Sequence, residues 1–198
     1  MAVSMKIAYL IFTYLIGSIP FGYIVGKLFG KDITKEGSGN IGATNVTRTI
    51  GKKAGILVLI LDLLKGFIPV FFAKNYFHFE PKFIGLVAVM AVIGHCFSVF
   101  MKFKGGKGVA TGFGVLIALS AKVALITFIL WLGVFLATGY VSLASIIATS
   151  FSWVMLGIIE QNLYYTWAAL IISLIIVMKH SSNIERLMKG TENRFIYK

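Results

Sequence analysis

The sequence predicts an all-α integral membrane protein of seven transmembrane helices, with the N-terminus outside and the C-terminus cytoplasmic. Three observations predict it. Apolar residues make up 58% of the 198 positions and charged residues only 13%, where a soluble domain carries about 25% charge. The mean hydropathy is +0.90, and the apolar runs approach the ~20 residues that a spanning helix needs. The basic residues cluster in a few connections, which sets an orientation.

Reading along the chain, the spans are Ile7–Leu28, Ala54–Ala73, Phe83–Met101, Gly108–Ser120, Val123–Ala137, Val141–Ile159 and Leu163–Met178. The first is expected to stay uncleaved, because it is long, lacks a small-residue cleavage site and contains Gly17, Pro20 and Gly22. The fourth and fifth are short, and a rival reading fuses them into one element, leaving six spans. Charge decides between the two. Lys27, Lys31, Lys35, Arg48, Lys52 and Lys53 lie in the first connection, Lys102, Lys104 and Lys107 in the third, and Lys179, Arg186, Lys189, Arg194 and Lys198 in the tail, fourteen of the 19 Lys and Arg. Seven spans put all three segments on one face, cytoplasmic by the positive-inside rule, whereas six would strand the basic tail outside. Met1 is then outside and Lys198 inside. No repeat or linker divides the chain, so residues 1–198 read as one polytopic domain.

The net charge of +12 reads as membrane orientation and not as a nucleic-acid surface. One cysteine and three scattered histidines provide no disulfide framework and no metal-ligand spacing. No cofactor or metal is expected, and a monomer is.

Three inner-face segments are dense in hydrogen-bonding and small residues. The first, Gly37 to Arg48, contains GxGxxG, but no strand precedes it and no βαβ unit can follow, so a dinucleotide fold is excluded. It offers close backbone approach and a helix start near Thr44, with Asn45 and Arg48 on one face. A solvated loop with one helix cap would use the same residues. The second, Lys104-Gly105-Gly106-Lys107-Gly108 followed by Thr111, puts glycines and ammonium groups at a helix N-terminus, an arrangement suited to phosphate. In the third, His180 and Asn183 are three residues apart and share a face if the last span continues as helix. Ser142 and Ser145 fall on the same side of the membrane. Within the second span Asp62 and Lys65 read as a bracing ion pair facing the bundle, and His95 as a hydrogen-bonded bundle residue.

The motifs GSGNIGATNVTR, FKGGKGVATG and KHSSNIERLMKGTENR, in this order and spacing, resemble those of the bacterial membrane glycerol-3-phosphate acyltransferases that use acyl phosphate, the PlsY family. The resemblance extends over nearly the whole chain. It implies acyl transfer from acyl phosphate to the 1-position of glycerol 3-phosphate, giving lysophosphatidic acid and inorganic phosphate, in the bacterial inner membrane with the site facing the cytoplasm. It implies catalytic roles for Ser38, Arg48, His180 and Asn183, a phosphate-binding loop from Lys104 to Gly108, and a structural role for Glu192. Asn40, Thr44, Asn45, Thr111, Ser142 and Ser145 complete the expected substrate-binding set, and membrane lipid is the other expected partner. An acyl phosphate is already activated, so direct transfer without an acyl-enzyme is expected, with His180 or a substrate phosphate as the base. A transporter of a small phosphorylated anion or lipid would also place cations in a helical bundle, but the repeats or paired broken helices expected of it are missing from the sequence.

Overall fold

The computed structural model describes residues 3–195, so the expectations for Met1 and Lys198 lie outside the described residues. Those residues form helices and no strand: α1 (Val3–Ser18), α2 (Phe21–Leu28), α3 (Ala43–Thr49), α4 (Lys52–Asn75), α5 (Pro81–Cys96), a 3₁₀ turn (Val99–Met101), α6 (Val109–Leu119), α7 (Ala121–Thr138), α8 (Val141–Ile159), α9 (Leu163–Lys179) and α10 (Ser181–Met188).

The first expected span is broken into α1 and α2 at Ile19–Pro20, because proline has no N–H to continue the ladder. Lys65 Nζ donates to the Ile19 carbonyl at the break, at 2.8 Å. Lys65 also pairs with Asp62 at 2.7 Å, and both side chains are almost fully buried. The expected ion pair is therefore a brace that also caps a helix break.

The fourth expected span is matched by α6 to within one residue at each end, and it is short. α6 has 11 residues, roughly 16 Å of helix, well short of a hydrocarbon core of ~30 Å. Among the described residues, α1–α2, α4, α5, α7 and α8 are long and apolar enough to cross, and α9 with α10 makes a sixth bent by 58°. α6 and α7 do not fuse, since Ser120 leaves the helical region and its Oγ accepts from Val123 N–H at 3.2 Å, starting α7 anew. The Leu119 carbonyl at the end of α6 accepts from Lys74 Nζ at 2.6 Å, beside the end of α4. Ser120 and Lys122 share a surface recess with Asn75 and Glu160.

Close backbone approach holds the bundle together. A Cβ on Gly66 would lie 2.9 Å from the Thr111 carbonyl carbon, and one on Gly114 2.9 Å from that of Leu63, so α4 and α6 touch through their backbones. Gly94 on α5 meets α1 in the same way, 2.9 Å from Ser18 N. Small residues at such crossings are how helices associate in lipid, where burying leucine against leucine yields little over leucine in acyl chain. Exposed Ile, Leu and Phe on α1, α4, α7 and α9 face outward, as lipid requires.

Candidate active site

α4, α6, α7, α8 and α9 enclose a cavity of about 360 Å³ whose mouth is bordered by the α3 loop, α10 and the tail. The two ends of this cavity differ in chemistry. Arg48, Lys107, His180, Asn183, Arg186 and Glu192 line the mouth, and Leu63, Phe113, Leu116, Leu119, Phe128 and Ile172 line the interior.

At the mouth, the loop before α3 is tied down by Asn45, which is only 2% exposed. Asn45 Oδ1 accepts from the Ser38 N–H at 2.9 Å, and Asn45 Nδ2 donates to the Ile33 and Glu36 carbonyls at 3.1 and 3.0 Å. Gly37, at φ +58°, takes a left-handed turn against the Asn45 amide, which a Cβ would strike. The Asn45 side chain is thus spent on holding Ser38 at the cavity. Asn45 lines the cavity as well as holding the loop.

A hydrogen-bonded chain runs across the other wall. Lys107 Nζ donates to Asn183 Oδ1, and Asn183 Nδ2 donates to Glu192 Oε1 at 2.6 Å. Ser142 Oγ donates to the same Glu192 oxygen at 2.7 Å, while Arg186 Nε takes the second oxygen at 2.7 Å. Arg48 Nη2 reaches the Asn193 carbonyl at 3.3 Å and its guanidinium lies over the Phe195 ring. The tail is pinned to the α7–α8 turn through Phe195 N–H to the Gly139 carbonyl, 2.8 Å, and Arg194 Nε to Tyr140 Oη, 3.2 Å.

Electrostatics follow from this layout. Burial, reinforced by the Arg186 and Arg48 charges and opposed by Glu192, pulls the Lys107 ammonium down to about 8. Burial pushes the His180 imidazole down to about 4, against the Ile176 carbonyl that favours its charged form, and Lys107 lowers it further. His180 is therefore neutral at pH 7. Its Nδ1–H donates to that carbonyl at 2.7 Å, which leaves Nε2 as an acceptor. Partial burial raises the Glu192 carboxyl, but hydrogen bonds from Ser142, Asn183 and Arg186 outweigh it and hold it below the ordinary value. The N-termini of α6 and α8, neither capped by a side chain, add positive dipole ends beside these cations. Among the described residues no three His, Cys, Asp or Glu side chains cluster to hold a metal.

Of the residues expected from sequence, Ser38, Asn40, Thr44, Asn45, Arg48, Lys107, Gly108, Ser142, Ser145, His180 and Asn183 all line the cavity. Lys104, Gly105, Gly106 and Thr111 do not line it. Lys104 is exposed. Gly105 and Gly106 pack on the end of α5: Gly106 N–H donates to the His95 carbonyl at 3.1 Å, and a Cβ there would meet the His95 ring. Thr111 Oγ1 is 3.1 Å from His95 Nδ1, which also lies 3.6 Å from Asp62 Oδ1. These small residues make room for a fixed His95, and of the loop only Lys107 and Gly108 face the cavity. Ser145 lines the wall with its hydroxyl committed, donating to the Val141 carbonyl at 2.7 Å and accepting from Trp131 Nε1 at 3.1 Å.

The last span does not continue as helix through the third motif. His180 ends α9 and starts α10, its carbonyl accepting from Asn183 and Ile184 N–H at 2.9 Å each. His180 and Asn183 still meet, through a capped bend. Arg186 was missed from sequence; its signal was the spacing His180, Asn183, Arg186, three residues apart each time on α10. Asp62, His95 and Asn193 also line the cavity.

A sequence profile of glycerol-3-phosphate acyltransferases matches residues 7–190. The chain belongs to the glycerol-3-phosphate acyltransferase family. The glycerol-3-phosphate acyltransferase of Aquifex aeolicus is 48% identical over 185 residues, covering 93% of this chain and 96% of the relative. That of Endomicrobium trichonymphae is 48% identical over 196 residues, covering 96% and 95%. The crystal structure of PlsY (YgiH), an integral membrane glycerol 3-phosphate acyltransferase, in its glycerol 3-phosphate form is similar with a TM-score of 0.94 at 46% identity, covering 97% of this chain and 96% of that one. Its lysophosphatidic acid form gives 0.91 at the same identity. This chain is an all-helical integral membrane acyltransferase.

Proposed function

We propose that the protein transfers a fatty acyl group from acyl phosphate to the 1-hydroxyl of glycerol 3-phosphate, giving lysophosphatidic acid and inorganic phosphate. The single observation that carries this reading is the two-ended cavity, cationic at its mouth and apolar within. Both phosphates belong among Arg48, Lys107, Arg186 and the dipole ends of α6 and α8, and the acyl chain belongs in the apolar interior. Relatives named for the glycerol 3-phosphate reaction support the acceptor.

In this mechanism the acceptor hydroxyl oxygen attacks the acyl carbonyl carbon, the new ester C–O bond forms, and the C–O bond to phosphate breaks. Ser38, held by Asn45, donates to the developing oxyanion, and Arg48 clamps phosphate in a bidentate fork. His180 at about 4 is a feeble base at pH 7. Its neutral Nε2 instead accepts a hydrogen bond from the acceptor hydroxyl, Asn183 orients Lys107, and the proton leaves with the departing phosphate. No covalent acyl-enzyme is needed.

The protein works as a monomer of one domain in the bacterial inner membrane, N-terminus outside and C-terminus inside, with the cavity mouth in the cytoplasm. This orientation takes seven crossings, with α6 and the loop before it as the one added to the six long apolar elements. The Gly105–Gly108 segment enters from the mouth side, and α6, though short, ends beside Lys74 at the opposite end of α4, so loop and helix together complete one crossing.

The test is purified protein with acyl phosphate and glycerol 3-phosphate. Stoichiometric lysophosphatidic acid and phosphate are expected; transfer from acyl thioesters but not from acyl phosphate would overturn the donor. Reporter fusions at the two ends, expected on opposite faces, test the crossings, and same-face ends would refute them.

A further inference from the structure

The apolar part of the cavity is interrupted by hydroxyls on α7 and α8: Thr127, Thr149 and Ser152. Ser152 Oγ is satisfied by the Thr149 carbonyl at 2.8 Å. Thr127 is only 7% exposed, and its Oγ1 has no hydrogen-bond partner among the described residues. A threonine in a helix normally returns its hydroxyl to the carbonyl four residues back. Thr13, Thr47, Thr49, Thr138 and Thr166 all do so in this chain. Thr127 departs from that habit where its side chain borders the cavity and, unlike Thr44 and Thr149, which also line it, Thr127 is buried.

Its depth follows from helix register. α7 and α8 are antiparallel and tied where Trp131 Nε1 meets Ser145 Oγ. One turn further along each helix, Thr127 and Thr149 stand level. From Ser142, which touches Glu192 at the mouth, to Thr149 is seven residues, roughly 10 Å. With C–C bonds of about 1.5 Å in a zigzag, each methylene advances roughly 1.25 Å, so about eight carbons reach this level.

We infer that Thr127 Oγ1 is a hydrogen-bonding station in the acyl groove that sets donor selectivity, disfavouring saturated chains long enough to cover it relative to chains that end before it. The inference rests on reading the cavity as the donor's groove. In the free enzyme, water entering through the polar mouth can serve the hydroxyl. A saturated chain that passes it offers only methylenes and strands it, a penalty of about fivefold to a hundredfold in relative affinity. A chain that stops short does not.

The experiment uses purified full-length protein, glycerol 3-phosphate, and hexanoyl or palmitoyl phosphate, with kcat/KM measured for wild type, Thr127→Val and Thr127→Ser. Valine keeps the shape and removes the hydroxyl, and serine keeps the hydroxyl. The palmitoyl-to-hexanoyl ratio is expected to rise at least fivefold in Thr127→Val and to hold its wild-type value in Thr127→Ser. An equal ratio in all three proteins, or the same rise in both variants, would overturn the inference while leaving the donor reading intact. An enzyme that uses acyl thioesters instead would overturn the donor reading alone, and the same ratio on palmitoyl and hexanoyl thioesters would then decide the role of Thr127.

Discussion

Replacing Asn45 by alanine isolates how the α3 loop is held. The substitution removes three hydrogen bonds: Ser38 N–H to Oδ1, and Nδ2 to the Ile33 and Glu36 carbonyls. The bond to Ile33 is buried, with Ile33 fully inaccessible. Losing it costs about 1–1.5 kcal/mol, and the two part-buried bonds, whose orphaned partners can rehydrate, cost about 0.5–1 kcal/mol each. The sum is about 2–3.5 kcal/mol, charged to the α3 loop and not to the bundle. If Ser38 must be in place for transfer, kcat/KM falls roughly 30- to 300-fold, at about 1.4 kcal/mol per decade. The melting temperature in detergent should move little, because a loop of this kind opens locally. Asn45→Asp should do no better: it restores an acceptor for Ser38 N–H but sets a carboxylate oxygen against two carbonyl oxygens about 3 Å away. Steady-state kinetics beside a thermal melt is the assay. Activity above half of wild type in Asn45→Ala would refute the positioning role, and a collapse of the melt with unchanged activity per folded molecule would make Asn45 a stability residue only.

Three more outcomes are expected. Lys107 is charged below about 8 and neutral above it, so KM for glycerol 3-phosphate should rise as pH passes about 8, and Lys107→Arg, which stays charged, should abolish that limb. Gly106→Ala should lower the melting temperature by overpacking the His95 ring, at about 1–3 kcal/mol, and should depress kcat more than it raises KM; a tenfold KM rise with an unchanged melt would restore Gly106 to the phosphate site. Arg48→Lys should lose at least tenfold in kcat/KM, since an ammonium cannot supply the planar fork, and near-wild-type turnover would leave Arg48 a topological charge.

Much of the architecture was legible because lipid imposes a one-dimensional rule. A chain whose backbone must be satisfied within hydrocarbon reads as apolar runs between basic connections, and α4, α5, α7, α8 and α9 fall close to where those runs lie. The residue types at the mouth were legible for a related reason, since cations, glycines and amides crowded at one face have few uses besides an anion. What only the tertiary structure decided is which of them meet. Glycine reads alike in sequence whether it admits a ligand or a neighbouring side chain, and the His95 ring, carried in by α5, is what makes Gly106 a packing residue. An amide reads alike whether it binds substrate or loop, and only the return of Ile33, Glu36 and Ser38 to α3 commits Asn45. The fourth run already read as short, but the bend at His180 was invisible because it is set by the capped turn into α10 and not by any local period of apolar residues.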